Sequence, residues 1–386
     1  MGLSSNLFVQ KRSATSSLRQ PKEIGHYSKT IENEFKIYDN SQLSYFYFPD
    51  SDLNKNLDLS AGIKKFKECT EDPNFDQCTL NPLLGTIKAY EQRKEKKVSA
   101  DIVTFRGVMR KLISCAFDSP QYNRVELRVV SFNGQLFIKE VSEHRTTQVD
   151  HNSIEHRSYY SGYKFENLTT LSKPLSQVPR GSLEKRPKKI CNNGEQFVTV
   201  VRSGVGSCKL VMGAEVDCVF DFSESGSDNL KHYAELKCTK GVSSVAEARR
   251  FERKIFKTWL QCFLVGIPRI IYGFRDDNFI LKSVEEYSTH EIPVLLKTNN
   301  QQLVNACVDA VRWYGALTEW LLESIPRQEA TDHMKAYRLR FENNHLKLSE
   351  IEQGDEEYEG IIEGESILSS EFKDWRKELA TKESSS

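Results

Sequence analysis

The sequence has no apolar run approaching the roughly 18 residues needed to cross a bilayer. Its first twelve residues, MGLSSNLFVQKR, lack the apolar centre of a secretory leader. Gly2 stands where myristoylation occurs, but that pattern wants Ser or Thr where Asn6 lies. There is no excess of either charge. Lys+Arg and Asp+Glu each number 54 and the pI is near 7.1, which excludes a protein that coats nucleic acid through bulk positive charge. Any nucleic-acid contact must come from local charge. The nine cysteines are odd in number, scattered and never spaced CxxC. That argues against a disulfide scaffold and a zinc cluster, and for a reducing compartment. The sequon Asn167-Leu168-Thr169 is then idle.

What is present fits one large domain or two closely packed ones: 386 residues, 38% hydrophobic, mean hydropathy −0.54. Residues 1–20 are Ser-rich and basic and read as a flexible segment; residues 380–386 read as a polar tail. Strand-like and helix-like segments alternate irregularly between them, which predicts an α+β fold. The pair Val125–Val130 and Gln135–Val141 flanks Asn133-Gly134, a strong hairpin turn. Phe197–Arg202 with Lys209–Met212, Ile270–Phe274 with Phe279–Lys282, and Tyr337–Phe341 with Leu346–Leu348 read as three more hairpins. Phe251, Ile255, Trp259 and Phe263 repeat every four residues and predict a helix over Ser244–Val265, stopped by Gly266 and Pro268. Further helices are expected over Gln301–Ser324 and Ala100–Ala116. Residues 142–160 read as an exposed loop. Its His144, His151 and His156 lack ligand spacing and a carboxylate partner, so they are not a metal site. The cluster Lys185-Arg186-Pro187-Lys188-Lys189 is of nuclear-import type, though such clusters are common on ordinary surfaces.

The chemistry concentrates in Gly213-Ala214-Glu215-Val216-Asp217 and Ala234-Glu235-Leu236-Lys237. Read as strands, each puts alternate residues on one face, so Glu215 pairs with Asp217 and Glu235 with Lys237. If the two strands pair, three carboxylates and one ammonium converge. The opposite faces are apolar, so the charges interrupt strands that otherwise read as core. Converging carboxylates need a counter-charge. Oxygen ligands suit a hard divalent cation, Mg²⁺ or Mn²⁺, and Lys237 beside it suits a phosphate. The pattern is that of nucleases with a D…(D/E)xK core. The alternative is a surface ladder of cross-strand salt bridges, and spacing alone does not choose between them. Three more residues could join the site. Glu166 ends the strand-like Gly162–Glu166. Arg106 could hold a phosphate or carboxylate bidentately, and Gln261 lies off its helix's apolar stripe.

Together these blocks resemble the decapping exoribonuclease (DXO) family, and within it the fungal nuclear member that accompanies the large 5′→3′ exoribonuclease. The likeness runs from Pro21–Ser28 through Thr104–Gly107, Ser131–Lys139, Gly162–Glu166, Gly213–Asp217, Tyr233–Lys237, Trp259–Gln261 and Gly266–Arg269 to Phe341–Leu346. It implies a single catalytic domain over residues 21–379. Two packed sheets, one large and mixed and one smaller and antiparallel, would be surrounded by helices, with the active site in a pocket between them. It implies Glu166, Glu215, Asp217, Glu235 and the Leu236 carbonyl as ligands of two Mg²⁺ or Mn²⁺ ions. Catalysis would fall to Glu215, Asp217, Glu235, Lys237 and Gln261, with Arg106, Lys237 and Gln261 holding substrate. The implied reaction is hydrolysis at RNA 5′ ends: pyrophosphate from triphosphate ends, incomplete caps released as a dinucleotide, NAD-type caps removed whole. The implied setting is nuclear RNA quality control, with the exoribonuclease as partner. The alternative is a non-catalytic partner that stabilises and activates that exoribonuclease.

Overall fold

The computed structural model describes residues 2–13, 17–69, 76, 78–141, 150, 153–224, 228–299 and 303–384. Ten strands form a large mixed sheet. In spatial order they are Ser4–Phe8, His345–Glu350, Met334–Glu342, Glu126–Phe132, Gln135–Glu140, Ile102–Phe105, Cys208–Glu215, Gln196–Val205, Leu18–Lys29 and Phe35–Ile37. A second sheet runs Leu281–Ser288, Arg269–Arg275, Tyr233–Lys240, Cys218–Val219, Tyr45–Phe46 and Thr170–Leu171. The four expected hairpins are the pairs 126–132/135–140, 196–205/208–215, 269–275/281–288 and 334–342/345–350, all antiparallel. Asn133 and Gly134 both carry positive φ, as the tight turn demands.

The smaller sheet is mixed rather than antiparallel. Tyr233–Lys240 runs parallel to Arg269–Arg275, because the helix Val245–Phe263 carries the chain back between them. Ser244 caps that helix by accepting from the Glu247 amide at 3.2 Å, and its apolar stripe buries Ile255 and Trp259 as expected. These residues join Met109, Leu112, Trp313 and Leu317 in a core beneath one face of the large sheet. The other face of that sheet buries Val130, Phe137 and Val211 under the helices Asn81–Lys94 and Ser370–Ser384. A third cluster packs Phe165 and Leu168 against Leu236 and Ile271 of the smaller sheet.

Several expectations fail for one reason: local composition does not see long-range pairing. The N-terminal segment expected to be flexible contains the strand Ser4–Phe8, which pairs with His345–Glu350 at the edge of the large sheet. The expected polar tail belongs to the helix Ser370–Ser384 as far as residue 384. Residues 100–116 divide into the strand Ile102–Phe105 and the helix Arg106–Ser114. Residues 154–160 of the expected loop and the strand-like Gly162–Glu166 share one helix, Ile154–Thr169, capped by Ser153, while residues 142–149, 151 and 152 of that loop lie outside the described residues. His144 and His151 lie outside the described residues; His156 sits on that helix, 3.5 Å from Glu68. Within the basic cluster Arg186 is drawn inward to Asp52 at 2.9 Å.

Candidate active site

The site forms where the chain crosses from one sheet to the other. The strand Cys208–Glu215 ends in the large sheet, and two residues later Cys218–Val219 begins in the smaller one. Glu215 and Asp217 therefore do not share the face of one strand, as their spacing had suggested. Glu215 is the last residue of its strand and Asp217 lies in the crossing. Gly213 keeps this passage tight: a Cβ there would lie 2.8 Å from the Phe105 ring, and Phe105 leads directly into Arg106.

On its Tyr233–Lys240 side Cys218–Val219 reaches no further than Tyr233 and Ala234, and on its other side Val219 pairs with Tyr45. Beyond Ala234 no strand among the described residues pairs with the same edge of Tyr233–Lys240, and Leu236 donates its amide to Asp217 Oδ2 at 2.6 Å. The N–H and C=O of a strand residue point the same way, so the Leu236 carbonyl also faces this edge. The Leu236 side chain is buried on the Phe165 side. Strand alternation turns Glu235 and Lys237 away from it, into the space between the sheets.

Glu235 is 1% exposed and is the hub of the polar contacts. Its Oε2 accepts from Arg106 at 3.2 Å, and its Oε1 accepts from Lys237 and from the Gln261 amide. Burial would push this carboxyl up; Lys237 and Arg106 more than reverse that and hold it below its usual range. Against the pull of burial, Glu235 and Asp217 keep Lys237 charged. Glu166 reaches the same place from the helix Ile154–Thr169, which packs on Tyr233–Lys240. Burial, then Asp217 and Glu215, push its carboxyl well up. Burial and then Glu235 push Asp217 up to about 7. Glu215 faces solvent at its tip, yet walls of protein around the cleft, together with Glu235, also raise it.

The structure thus brings together Arg106, Glu166, Glu215, Asp217, Glu235, Leu236, Lys237 and Gln261. It places Gln261 and Arg106 on Glu235, which spacing alone did not foretell. It adds Lys29, 9% exposed and close enough to Glu215 to influence it. It also adds Arg110, one helical turn beyond Arg106. The signal for Arg110 was its i+4 spacing from Arg106; Lys29 had none.

Among the described residues, no three His, Cys, Asp or Glu side chains yet stand close enough to grip an ion. Glu235 is turned onto Arg106, Lys237 and Gln261 instead. The donor chemistry nevertheless fits hard divalent cations. Four carboxylates and a backbone carbonyl are all oxygen, and the carboxylates are in excess over the two cations that contact them, Arg106 and Lys237, both of which pair with Glu235. This excess has a measurable consequence. A carboxyl raised on folding contributes stability below its unfolded range, lost as pH climbs through the folded value. In EDTA the melting temperature should fall between about pH 4 and pH 7, the window set by Asp217. Mg²⁺ or Mn²⁺ should restore it at neutral pH, and both effects should shrink in Glu215→Ala/Asp217→Ala. A melting curve indifferent to metal at neutral pH would contradict the site.

A family profile described as RAI1-like PD-(D/E)XK nuclease matches residues 19–373. The chain belongs to the RAI1-like PD-(D/E)XK nuclease family. Asp217 with Glu235-Leu236-Lys237 fits the D…(D/E)xK pattern in that description. The chain is 71% identical to the decapping nuclease RAI1 of Lachancea thermotolerans, over 98% of this chain and 99% of that one. It is 58% identical to the decapping nuclease RAI1 of Saccharomyces cerevisiae, over 98% and 100%. Among solved structures it resembles Candida albicans Rai1 in complex with pU5-Mn²⁺, with a TM-score of 0.86 and 38% identity, over 98% of this chain and all of that one. Scheffersomyces stipitis Rai1 in complex with (3′-NADP)⁺ and calcium superposes with a TM-score of 0.85 at 38% identity, over 97% and 100%. The large mixed sheet and smaller sheet are the fold of this family.

Proposed function

We propose that this protein is a divalent-metal-dependent hydrolase of RNA 5′ ends. It removes pyrophosphate from triphosphate ends and releases incomplete and NAD-type caps. The observation that carries this reading is the convergence of Glu166, Glu215, Asp217 and Glu235 around the edge of Tyr233–Lys240 beyond Ala234, with Lys237 and Gln261 at the same point. Relatives called decapping nucleases, and the pU5-Mn²⁺ complex of a structural relative, support it. Divalent ions, two in this reading and Mg²⁺ or Mn²⁺, lower the pKa of the attacking water and offset charge on the phosphoryl group when bound.

The chain's own groups do the rest. Glu166, Glu215, Asp217, Glu235 and the Leu236 carbonyl supply the ion-binding oxygens. Arg106 fixes the Glu235 carboxylate from behind, which orients it for this task. Lys237 and Gln261 carry donors that can turn from Glu235 to a substrate phosphate. No base needs to be read, so activity should not depend on sequence.

The test is incubation of purified protein with 5′-labelled triphosphate, capped and monophosphate RNAs, with and without Mg²⁺ or Mn²⁺. Release of pyrophosphate or whole caps, only with metal, is expected. Intact 5′ ends in all arms would end the proposal. Partnership with a nuclear 5′→3′ exoribonuclease, and nuclear residence itself, are proposed on the family resemblance. Copurification with the exoribonuclease and imaging of the tagged protein test them.

A further inference from the structure

The helix Val245–Phe263 carries a second feature beside its apolar stripe. Opposite Ile255, Trp259 and Cys262 stand Arg250, Lys254 and Lys257, separated by four and then three residues. Four residues further on, the same face ends in Gln261. From Arg250 to Gln261 the row covers about 16 Å at the rise of an α-helix. Gln261 touches Glu235, and Lys254 donates to Thr239 Oγ1 at 2.8 Å. Glu235, Lys237 and Thr239 lie on one face of their strand. The basic row therefore runs along that face, outward from the acid cluster.

The helix Arg106–Ser114 packs beside it. Arg106 meets Glu235 at one end, and just past the other end Asp118 pairs with Lys257 at 2.8 Å. Arg110 stands between these two contacts, one turn beyond Arg106 and on the same side. It is half-buried and, among the described residues, makes no hydrogen bond or ion pair of its own. A partly desolvated guanidinium without a partner is costly to hold in place. Burial and the neighbouring Arg106 both act against its charge, while Arg106 itself is satisfied by Glu235. Its planar fork suits a phosphate. A net charge of zero makes this local concentration of cations stand out.

We propose that the groove between the helices Arg106–Ser114 and Val245–Phe263 holds the sugar-phosphate backbone of the RNA body behind the end being hydrolysed. Arg110 binds the phosphate nearest the acid cluster, and Lys254 and Arg250 bind those further out. This rests on the proposed function for what occupies the cleft, and assigns which surface the rest of the substrate follows. It predicts that the enzyme holds a long RNA more tightly than a short one, through charge and without reading bases.

The test is equilibrium binding of 3′-labelled 5′-monophosphate uridylates to the full chain in EDTA, comparing the mononucleotide with a decamer across a salt series. In Arg110→Gln, decamer binding should weaken about tenfold, as expected for one charge-assisted contact. Its log–log salt slope should become shallower by roughly 0.7. Arg250→Gln/Lys254→Gln should act in the same direction, and Arg110→Lys should keep most of the affinity. Mononucleotide binding and melting temperature should not move. In turnover, KM for a triphosphate decamer should rise in Arg250→Gln/Lys254→Gln with kcat unchanged. Unchanged decamer affinity and slope in Arg110→Gln, or equal weakening of mononucleotide and decamer, would overturn the groove. The two proposals can fail separately. Length-dependent binding without hydrolysis of any RNA end would remove the function and leave the groove. Hydrolysis indifferent to these substitutions would do the reverse.

Discussion

Glu215→Ala/Asp217→Ala loses hydrolysis of RNA 5′ ends by at least about 10³-fold, the scale of removing even one preorganised electrostatic group from an active site. Two of the four converging carboxylates go, and with them the ability to hold divalent ions at the phosphate. The same change does not cost folding stability. Burial and like charge push both groups up in the folded protein, so at neutral pH their ionised forms oppose folding. The metal-free variant should therefore melt no lower than the metal-free parent. Neither side chain fills core: Glu215 faces solvent and Asp217 is half-exposed. Hydrolysis assays and calorimetry on the same sample check both halves. Retained activity would reject the site, whereas lost activity with a large drop in melting temperature would show only a folding defect.

The second large effect lies far from the acids. Arg376 and Glu91 are both fully buried and pair at 2.7 Å, with a second contact at 2.9 Å. Glu91 also accepts from the Trp375 indole and the Val98 amide, and Arg376 donates to Asn133 and Gln135. This network ties the helices Asn81–Lys94 and Ser370–Ser384 to the hairpin turn between Glu126–Phe132 and Gln135–Glu140. Glu91→Ala should cost about 3–5 kcal/mol, because it strands a buried guanidinium. Arg376→Met should cost a similar amount by stranding the carboxylate. The double change Glu91→Leu/Arg376→Met should be far milder than the sum, since it removes both charges and fills the space. Denaturant titration of the three variants checks this; additive losses would mean that the two charges do not depend on one another.

The hairpins and the helix Val245–Phe263 were legible in the chain because their signals are local. Asn133-Gly134 permits positive φ in the turn, and the four-residue stripe with its Ser244 cap needs no distant partner to be recognised. Glu166 was expected on a strand and lies on a helix. Tyr163 and Phe165 alternate over too few residues to separate a strand from one flank of a helix. The structure puts Phe165 into the core and leaves Tyr163 half-exposed, because residues two apart stand about 200° apart around a helix. The N-terminal strand Ser4–Phe8 was invisible because its partner, His345–Glu350, lies more than 300 residues away.

Composition and residue order were enough to show that acids, a lysine and a glutamine interrupt core segments, and hence what kinds of atom the cleft would offer. They could not show that Glu215 ends a strand of the large sheet while Asp217 lies in the crossing, that Arg106 backs Glu235, or that Arg110 makes no hydrogen bond or ion pair among the described residues. Those facts depend on where the strand Cys208–Glu215 stops and on an edge that no strand among the described residues covers beyond Ala234. Side-chain chemistry is carried by each residue alone, whereas the meeting of charges arises only when separate segments pack and exclude water between them.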